Sequence, residues 1–299
     1  GWTGILIYDS MLALQELIPF DPHIWAIAIG CLVILWLFIG LHNTGYIHGI
    51  VSTLLLILTI YMGYHIISDW PSHTLSISSN SMSFIAAFEL SIAMPLSWLP
   101  LISDYTRESQ KPLSASLISA GVYTITSIAM YALGLSTALF GGGDSIIAIL
   151  MNAGLGITGL IVIIFSTVTT AFMGTYSAGV SSTAICRALS TKGVAIVITI
   201  IGTIAALVYP MDDITDFLYL IGSVFTPMIG ILLADFFINQ QATQTTVAHI
   251  IRAIIWLISV GVYHYMLHTE SFIGATIPAF IVAFIATILV GRLQTHRQQ

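Results

Sequence analysis

The chain has 299 residues, of which 57% are apolar and only 7% charged, and its formal net charge is −6. A soluble domain carries about 25% charged residues, so a chain with this composition and a mean hydropathy of +1.00 belongs in a membrane. The Lys and Arg residues form no basic patch, which excludes nucleic acid as an expected partner. Cys31 and Cys186 show neither metal-ligand spacing nor a disulfide framework.

Apolar runs of about 20 residues predict transmembrane helices, and ten of them follow one another with short connections. The predicted spans are 1–19, 24–41, 46–68, 83–103, 114–140, 155–181, 193–209, 214–238, 248–267 and 271–291. A shorter apolar piece at 145–153 is expected to lie along the membrane interface. The chain opens without a basic leader or an initiator Met, so we expect it to be N-terminally incomplete.

Charge placement supports these spans. Lys and Arg mark cytoplasmic loops, and alternation of the spans from a cytoplasmic first residue puts all seven basic residues on the cytoplasmic side. The acidic residues that fall on the other side are Asp21, Asp69, Asp144, Asp212, Asp213 and Glu270. A wrong span count would mix the two sets. The pattern therefore predicts a multi-pass membrane protein with a cytoplasmic C-terminus.

Trp2, Asp9 and Glu16 recur every seven residues in the first span and therefore share a helix face. Acids within a span are expected to point into the bundle, which makes Asp9 a functional candidate. Trp2 could stack on a planar ligand, although an interfacial aromatic belt is an alternative. For Glu16 an interfacial position is the better interpretation.

The fourth span carries the most unusual residues. Glu89 lies several residues inside it, Pro95 and Pro100 follow, and the span runs into Asp-Tyr-Thr-Arg at 104–107. A carboxylate in lipid is costly and marks a functional site, here a proton-titrating or substrate-binding group; the alternative is an interfacial acid. The prolines predict either a non-helical break that exposes backbone groups to a ligand or a simple kink.

Ser166, Thr169 and Thr170 lie three to four residues apart in the sixth span, so their hydroxyl groups share a face. Hydroxyl and carbonyl oxygens suit a hard cation such as Na⁺. Helix packing in membranes uses the same small polar residues, so both interpretations stay open.

Two further patterns point to other chemistry. Asp212, Asp213 and Asp216 resemble the aspartate-rich motif of intramembrane prenyl-transfer enzymes, but no second acidic motif or basic residue accompanies them. A solvated loop that caps the eighth span is the favoured interpretation. His264 and His268 have metal-compatible spacing without a clear third ligand. We therefore expect neither an enzyme nor a metal site.

Residues 94–107, Met-Pro-Leu-Ser-Trp-Leu-Pro-Leu-Ile-Ser-Asp-Tyr-Thr-Arg, resemble the sixth helix of the nucleobase–cation symporter family, also called the purine/cytosine permease group. The last four residues match the family's Asp-aromatic-Ser/Thr-Arg signature. The Ser-Trp-Leu-Pro-Leu-Ile part is similar to the CytX-type hydroxymethylpyrimidine transporter branch. Residues 167–181 resemble the eighth helix of that branch, and residues 1–4 resemble the opening of its third helix.

The resemblance implies an all-α integral membrane protein with the LeuT-like fold of five-plus-five inverted repeats. The chain, 1–299, would be one transporter domain that holds helices three to twelve and lacks the first two. Residues 1–68 would end the first repeat, 83–238 would form the second, and 248–291 would be two additional helices.

The resemblance also implies cation-coupled uptake of a pyrimidine-like compound by alternating access. Hydroxymethylpyrimidine or a similar thiamine precursor is the expected cargo, and another nucleobase such as cytosine, a purine or an allantoin-like compound is the alternative. The coupling ion would be Na⁺ or H⁺, and no other cofactor is expected. We expect a monomer in the plasma membrane.

The residue patterns and the resemblance together predict the site. The expected substrate-binding residues are Trp2, Glu89, Met94, Pro95, Ser97, Trp98 and Thr175. The expected cation-binding or coupling residues are Ser166, Thr169, Thr170 and Asp9, and the expected inner gate is formed by Asp104 and Arg107. Three family positions differ: a base-binding Gln falls at Leu6, a stacking Trp at Pro95 and a substrate-binding Asn at Thr175. The relatives' substrates therefore do not transfer directly.

Overall fold

A computed structural model shows a helical protein. The residues that it describes are 1–39, 44–68, 82–106, 109–140, 150–151, 154–211, 213–239, 246–269 and 272–296. Within them lie ten long helices: α1 (Trp2–Leu17), α2 (Pro22–Ile39), α3 (Thr44–Ser68), α4 (Phe84–Thr106), α5 (Pro112–Phe140), α6 (Gly156–Ile185), α7 (Thr191–Val208), α8 (Thr215–Ala234), α9 (Thr246–His268) and α10 (Thr276–His296). A π-helical turn, Asp235–Asn239, continues α8.

The helices begin where the sequence supplies a start signal. Pro22 is the first residue of α2, where its missing N–H costs no hydrogen bond. Ser190 caps α7 by accepting a 3.0 Å hydrogen bond from the Gly193 N–H. Ser83 accepts a 3.2 Å hydrogen bond from the Ala86 N–H at the start of α4. These local signals explain why the observed boundaries fall close to the predicted ones.

Eight of the described helices are long and apolar enough to cross a membrane, as a multi-pass protein requires. The other two are α1, which has 16 residues, and α4, whose apolar part Phe84–Leu99 is shorter. The predicted interfacial piece at 145–153 lies outside the described residues except at 150–151.

Contacts divide the helices into two compact units, a division that does not test the predicted repeats. The first unit comprises Gly1–Ser79 and Gln110–Asp212 and holds α1, α2, α3, α5, α6 and α7. There α1 packs against α2, α6 and α7. Gly4 and Gly202 bring α1 and α7 into backbone contact, since a Cβ on Gly4 would lie 3.2 Å from the Gly202 carbonyl oxygen. Small residues at helix crossings are typical of packing in lipid.

The second unit comprises Asn80–Ser109 and Asp213–Gln299 and holds α4, α8, α9 and α10. α8 packs against each of the other three helices. Pro227 lies inside α8, where its ring removes one backbone hydrogen bond and disturbs the preceding turn. On that turn, the Val224 carbonyl accepts a 2.9 Å hydrogen bond from the Trp256 indole N–H of α9. A neighbouring helix thus supplies a donor at the disturbed turn.

Of the two alternatives for Pro95 and Pro100, a non-helical break or a kink, the break is not found. The α-helix continues from Phe84 through both prolines to Thr106. A proline removes one hydrogen bond from a helix without forcing the chain to unwind, so α4 keeps its helical path. Ligand binding by unwound backbone at this position is therefore not supported.

Candidate functional site

Three predicted substrate-binding residues share one half-buried face of α4. Met94, Pro95 and Trp98 are spaced by three and four positions, which makes their side chains neighbours on the helix surface. Because none of them is fully buried, the Trp98 ring keeps part of its surface accessible. An aromatic ring beside apolar side chains is suited to stack on a planar heterocycle.

Ser97 lies on a different side of the same helix. It is buried, and its hydroxyl donates a 2.7 Å hydrogen bond to the Met94 carbonyl one turn earlier. The donor of Ser97 is therefore used within α4. A ligand that Ser97 binds must use the lone pairs of its oxygen.

Glu89 is buried, with 4% of its surface exposed, and its carboxylate meets the start of α10. Its Oε1 accepts hydrogen bonds of 3.0 Å from the Ala275 N–H and 2.9 Å from the Thr276 N–H. N–H groups at a helix start have no partner within the helix, and the helix dipole favours a negative charge there. Both hydrogen bonds hold α4 to α10, and neither supports the predicted substrate contact.

The turn before α10 has room for this carboxylate. Gly274 has a φ of 78°, a left-handed conformation that glycine adopts at no steric cost. A Cβ at this position would collide with Oε1 of Glu89. Tyr263 of α9, which is 0% exposed, lies beside Glu89 and Thr276. The sequence analysis missed this cluster because 186 positions separate Glu89 from Ala275. The Gly-Ala-Thr turn at 274–276 is the local signal that could have indicated it.

Thr175 of α6 is completely buried in the first unit. Its hydroxyl donates to two carbonyls of its own helix, that of Ala171 at 3.0 Å and that of Phe172 at 3.1 Å. A substrate contact of Thr175 would again have to use oxygen lone pairs, so it could recognise only a donor group. The predicted contact stays a prediction.

The hydroxyl residues of α6 do not form one uniform patch. Thr169 is buried and donates a 3.0 Å hydrogen bond to the Ser166 carbonyl, while Ser166 and Thr170 are half-buried. Thr167, which the prediction passed over, accepts a 2.8 Å hydrogen bond from the Ser10 hydroxyl of α1. Thr167 therefore serves helix packing. Thr169 retains lone pairs that could bind a cation.

The three residues singled out in α1 differ in burial. Trp2 is half-buried in the first turn, whereas Asp9 and Glu16 are exposed. The buried face of α1 carries apolar residues such as Ile7 and Met11. The expected inward orientation of Asp9 is therefore not found within the first unit, because the core takes the apolar face. Its role in ion coupling stays a prediction.

The predicted inner gate falls largely outside the described residues. Arg107 and the side chain of Asp104 lie outside the described residues, and so does Asp212.

Asp213 is exposed and accepts a 2.8 Å hydrogen bond from the Thr215 N–H at the start of α8. Hydrogen bonds from the Thr215 hydroxyl and N–H lower the pKa of this carboxyl below its ordinary value. Asp213 is thus an exposed carboxylate that accepts an N–H at the start of α8, one position before the N-cap residue Ile214. Among the described residues, no three His, Cys, Asp or Glu side chains cluster as metal ligands would.

A second polar cluster joins α8, α9 and α10. Asp235, in the π-helical turn, accepts a 2.6 Å hydrogen bond from Nε of Arg252. Asn239 donates to Asp235 at 2.9 Å and to the Thr287 carbonyl of α10 at 3.2 Å. Nothing in the sequence analysis indicated this cluster, although π-helical turns are frequent at functional positions.

Comparison with known proteins decides the family. The model of a family described as permeases for cytosine/purines, uracil, thiamine and allantoin matches residues 23–296. The chain belongs to this permease family. The solved structure of Mhp1, a nucleobase-cation-symport-1 family transporter, in a closed conformation with bromovinylhydantoin bound, superposes on the permease with a TM-score of 0.71. The two share 15% identity, and the match covers 97% of this chain and 71% of Mhp1. No curated protein matches the chain.

The fold match confirms the predicted fold class, an all-α membrane protein with the LeuT-like transporter fold. Family membership and the eight apolar helices make the permease a multi-pass transporter rather than an enzyme. The prenyl-transfer alternative therefore loses its basis.

Proposed function

We propose that this permease is a cation-coupled symporter that imports hydroxymethylpyrimidine or a related thiamine precursor by alternating access. The half-buried face of α4 formed by Met94, Pro95 and Trp98 carries this proposal. It lies within the motif that resembles the hydroxymethylpyrimidine branch. The family description includes thiamine, and Mhp1 holds another ring compound, a hydantoin.

Recognition would rest on stacking because a pyrimidine is planar and uncharged. Trp98 of α4 is proposed to offer a ring face. Ser97 of the same helix has its hydroxyl donor in a helix hydrogen bond, so its oxygen would accept from an N–H or O–H group of the substrate. A substrate rich in donors, such as an amino-pyrimidine with a hydroxymethyl group, fits this acceptor.

Coupling to a cation is the second part of the proposal. The oxygens of Ser166, Thr169 and Thr170 would suit Na⁺, which prefers hydroxyl and carbonyl ligands. The carboxylates of Asp9 and Glu89 would suit H⁺ instead. Thr169→Val tests the first route, because it keeps the shape and removes the oxygen. Thr199→Val is the matched control, since Thr199 of α7 is also buried and its hydroxyl likewise donates to a carbonyl of its own helix, that of Ala195, at 2.8 Å.

Uptake of labelled hydroxymethylpyrimidine tests the substrate contact on α4. Trp98→Ala removes the stacking ring and should raise KM about tenfold, a loss of about 1.4 kcal/mol, while Trp98→Phe should retain most of the affinity. Phe84→Ala is the control, because Phe84 is an aromatic residue of the same helix that is 81% exposed. Wild-type KM in Trp98→Ala would remove the α4 face from the site.

Competition identifies the cargo. Unlabelled hydroxymethylpyrimidine should inhibit uptake more strongly than cytosine, a purine or allantoin. Stronger inhibition by any of those compounds would replace the proposed substrate by another one in the family's range. We further propose that the protein acts as a monomer in the plasma membrane with its C-terminus in the cytoplasm, which accessibility labelling of Cys186 and of a terminal tag would test.

A further inference from the structure

The start of α10 holds two buried oxygens that have no hydrogen-bond partner among the described residues. One is Oε2 of Glu89, and the other is the hydroxyl oxygen of Tyr263. Glu89 is 4% exposed and Tyr263 is 0% exposed, so bulk water reaches neither side chain to any extent. Tyr263 lies beside Glu89. A carboxyl oxygen and a phenol that are buried side by side form a polar site in which each group can complete the hydrogen bonding of the other, with Thr276 beside the phenol.

The charge of Glu89 is balanced only in part. Its Oε1 accepts two backbone N–H groups at the N-terminus of the 21-residue helix α10. The ion pairs His23–Asp21 and Arg252–Asp235 do not involve Glu89. Among the described residues, the titratable side chains that face it are Tyr263 of α9 and Tyr219 of α8, with Asp216 near Tyr219. At the start of α10 it contacts Gly274, Ala275 and Thr276. No described cation therefore holds this carboxylate in its ionised form.

The same atoms accommodate both protonation states. When Glu89 is ionised, Oε1 keeps its two N–H donors and Oε2 can accept from the Tyr263 hydroxyl. When Glu89 is protonated, Oε1 still accepts the two N–H groups and the new O–H on Oε2 can donate to the Tyr263 oxygen. A phenol is suited to both roles because it is donor and acceptor at once.

We propose that Glu89 and Tyr263 form a proton-binding site and that Glu89 takes up the coupling proton. In the step, an O–H bond of a hydronium ion breaks, its proton forms an O–H bond with Oε2, and a neutral water molecule is left. The charge of the site changes from −1 to zero and no other bond changes. Because hydrogen bonds to an ionised acceptor are about twice as strong as neutral ones, protonation weakens the hold of α4 on α10.

This site acts on substrate binding through the helix. Trp98 follows Glu89 by nine positions, roughly 13 Å along α4. A ring stacked on Trp98 is therefore not in contact with the Glu89 carboxyl, and the proton influences transport by changing how α4 is anchored. Glu89 is a positioning and ion-binding residue in this scheme.

The inference rests on the proposed symport, and Glu89→Gln tests it. Glutamine mimics the protonated state, because its oxygen accepts the two N–H groups and its NH₂ donates to Tyr263. In proteoliposomes, the variant should exchange labelled for unlabelled hydroxymethylpyrimidine like the wild type and lose accumulation driven by an imposed pH gradient. Glu16→Gln is the matched control, since it changes the same side chain at an exposed position of α1. Accumulation driven by the pH gradient in Glu89→Gln, or wild-type accumulation that follows Na⁺ alone, would overturn the proposal.

Infrared spectroscopy keeps the two proposals separable. The wild-type protein should show a protonated-carboxyl band that disappears as pH rises and is absent in Glu89→Gln, whether or not substrate is present. Tyr263→Phe should shift the frequency of this band, because the O–H of Glu89 then lacks the phenol oxygen as its acceptor. Absence of the band in the wild type would overturn the proton site. Presence of the band without uptake of the pyrimidine would overturn only the substrate assignment.

Discussion

The start of α10 is bound directly by an acid of another helix, whereas its C-terminal half is bound by an amide side chain that itself contacts an acid. At the start, the buried Glu89 carboxylate is bound by two backbone N–H groups and by no basic side chain among the described residues. In the C-terminal half, Asp235 pairs with Arg252, and Asn239 links the pair to the Thr287 carbonyl. Side chains of Asp235 and Arg252 are each 21% exposed.

The comparison shows how the same fold can make one acid responsive and another fixed. A carboxylate with a guanidinium partner keeps its charge, because protonation would leave the cation unpaired. A carboxylate balanced only by N–H dipoles loses less when it is protonated, since both of its forms accept the same bonds. We therefore expect the start of α10 to respond to protons and the C-terminal half of α10 to remain constant.

The largest effect is expected from Gly274→Ala, in the turn at the start of α10. The left-handed φ of 78° strains any other residue, and the added Cβ displaces Glu89 Oε1 from its two donors. Together these effects should lower the free energy of unfolding by about 3 kcal/mol, measured as a loss of thermal stability in detergent. Gly154→Ala is the matched control, because Gly154 has a φ of 76° and open space around it. Equal losses in both variants would mean that the Glu89 contact contributes nothing.

The next largest effect on stability is expected at the Arg252–Asp235 pair near the C-terminal half of α10. Arg252→Gln leaves the half-buried Asp235 carboxylate without its charged donor and should destabilise the protein by about 2 kcal/mol. Adding Asp235→Asn should restore part of this loss, because the unpaired charge is then removed. Thermal unfolding of the single and double variants measures both. Additive losses in the double variant would contradict a direct Arg252–Asp235 interaction.

A smaller effect is expected at Trp256 of α9, whose indole N–H contacts the middle of α8. Trp256→Phe keeps most of the ring and removes the donor to the Val224 carbonyl, which should cost about 1 kcal/mol. Trp25→Phe is the comparison variant, since the buried Trp25 indole N–H has no partner among the described residues. Its loss of stability should be smaller, and a larger loss than in Trp256→Phe would refute the role assigned to the hydrogen bond.

The smallest effect should come from Asp213, an exposed counterpart of Glu89 at the start of α8. Because hydrogen bonds from Thr215 hold the pKa of Asp213 below its ordinary value, the stability it contributes is present above that value. This contribution is lost as pH falls through the lowered pKa. Asp213→Asn should therefore flatten the acid side of a plot of melting temperature against pH. The same flattening in Asp216→Asn would show that the effect is not specific to Asp213.

Most of the helices could be predicted from the sequence because length and apolar content are local properties. The predicted spans 24–41 and 193–209, for example, correspond to α2 (Pro22–Ile39) and α7 (Thr191–Val208). The motif at 94–107 indicated the family that the comparison then showed.

The contacts between helices could not be predicted in the same way. Sequence periodicity tells which residues share a face of one helix, but it does not tell which helix that face meets. The carboxylate of Glu89 drew attention because it is costly in lipid, yet its partners lie in a turn far along the chain. Asp9 was expected inside the bundle, but α1 buries its apolar side chains instead. The two alternatives for Pro95 and Pro100 stayed open for a related reason, since proline spacing alone does not distinguish a bent helix from an interrupted one.

The hydrogen bond from Trp256 to Val224 also gives the molecule an internal probe. An indole proton held by a carbonyl next to Pro227 exchanges with solvent deuterium only when the two helices separate at that point. If α8 bends about its proline during the transport cycle, the exchange rate of this single proton should rise when substrate and coupling ion are supplied. One isotope-labelled tryptophan would then report the movement of α8 on the timescale of turnover.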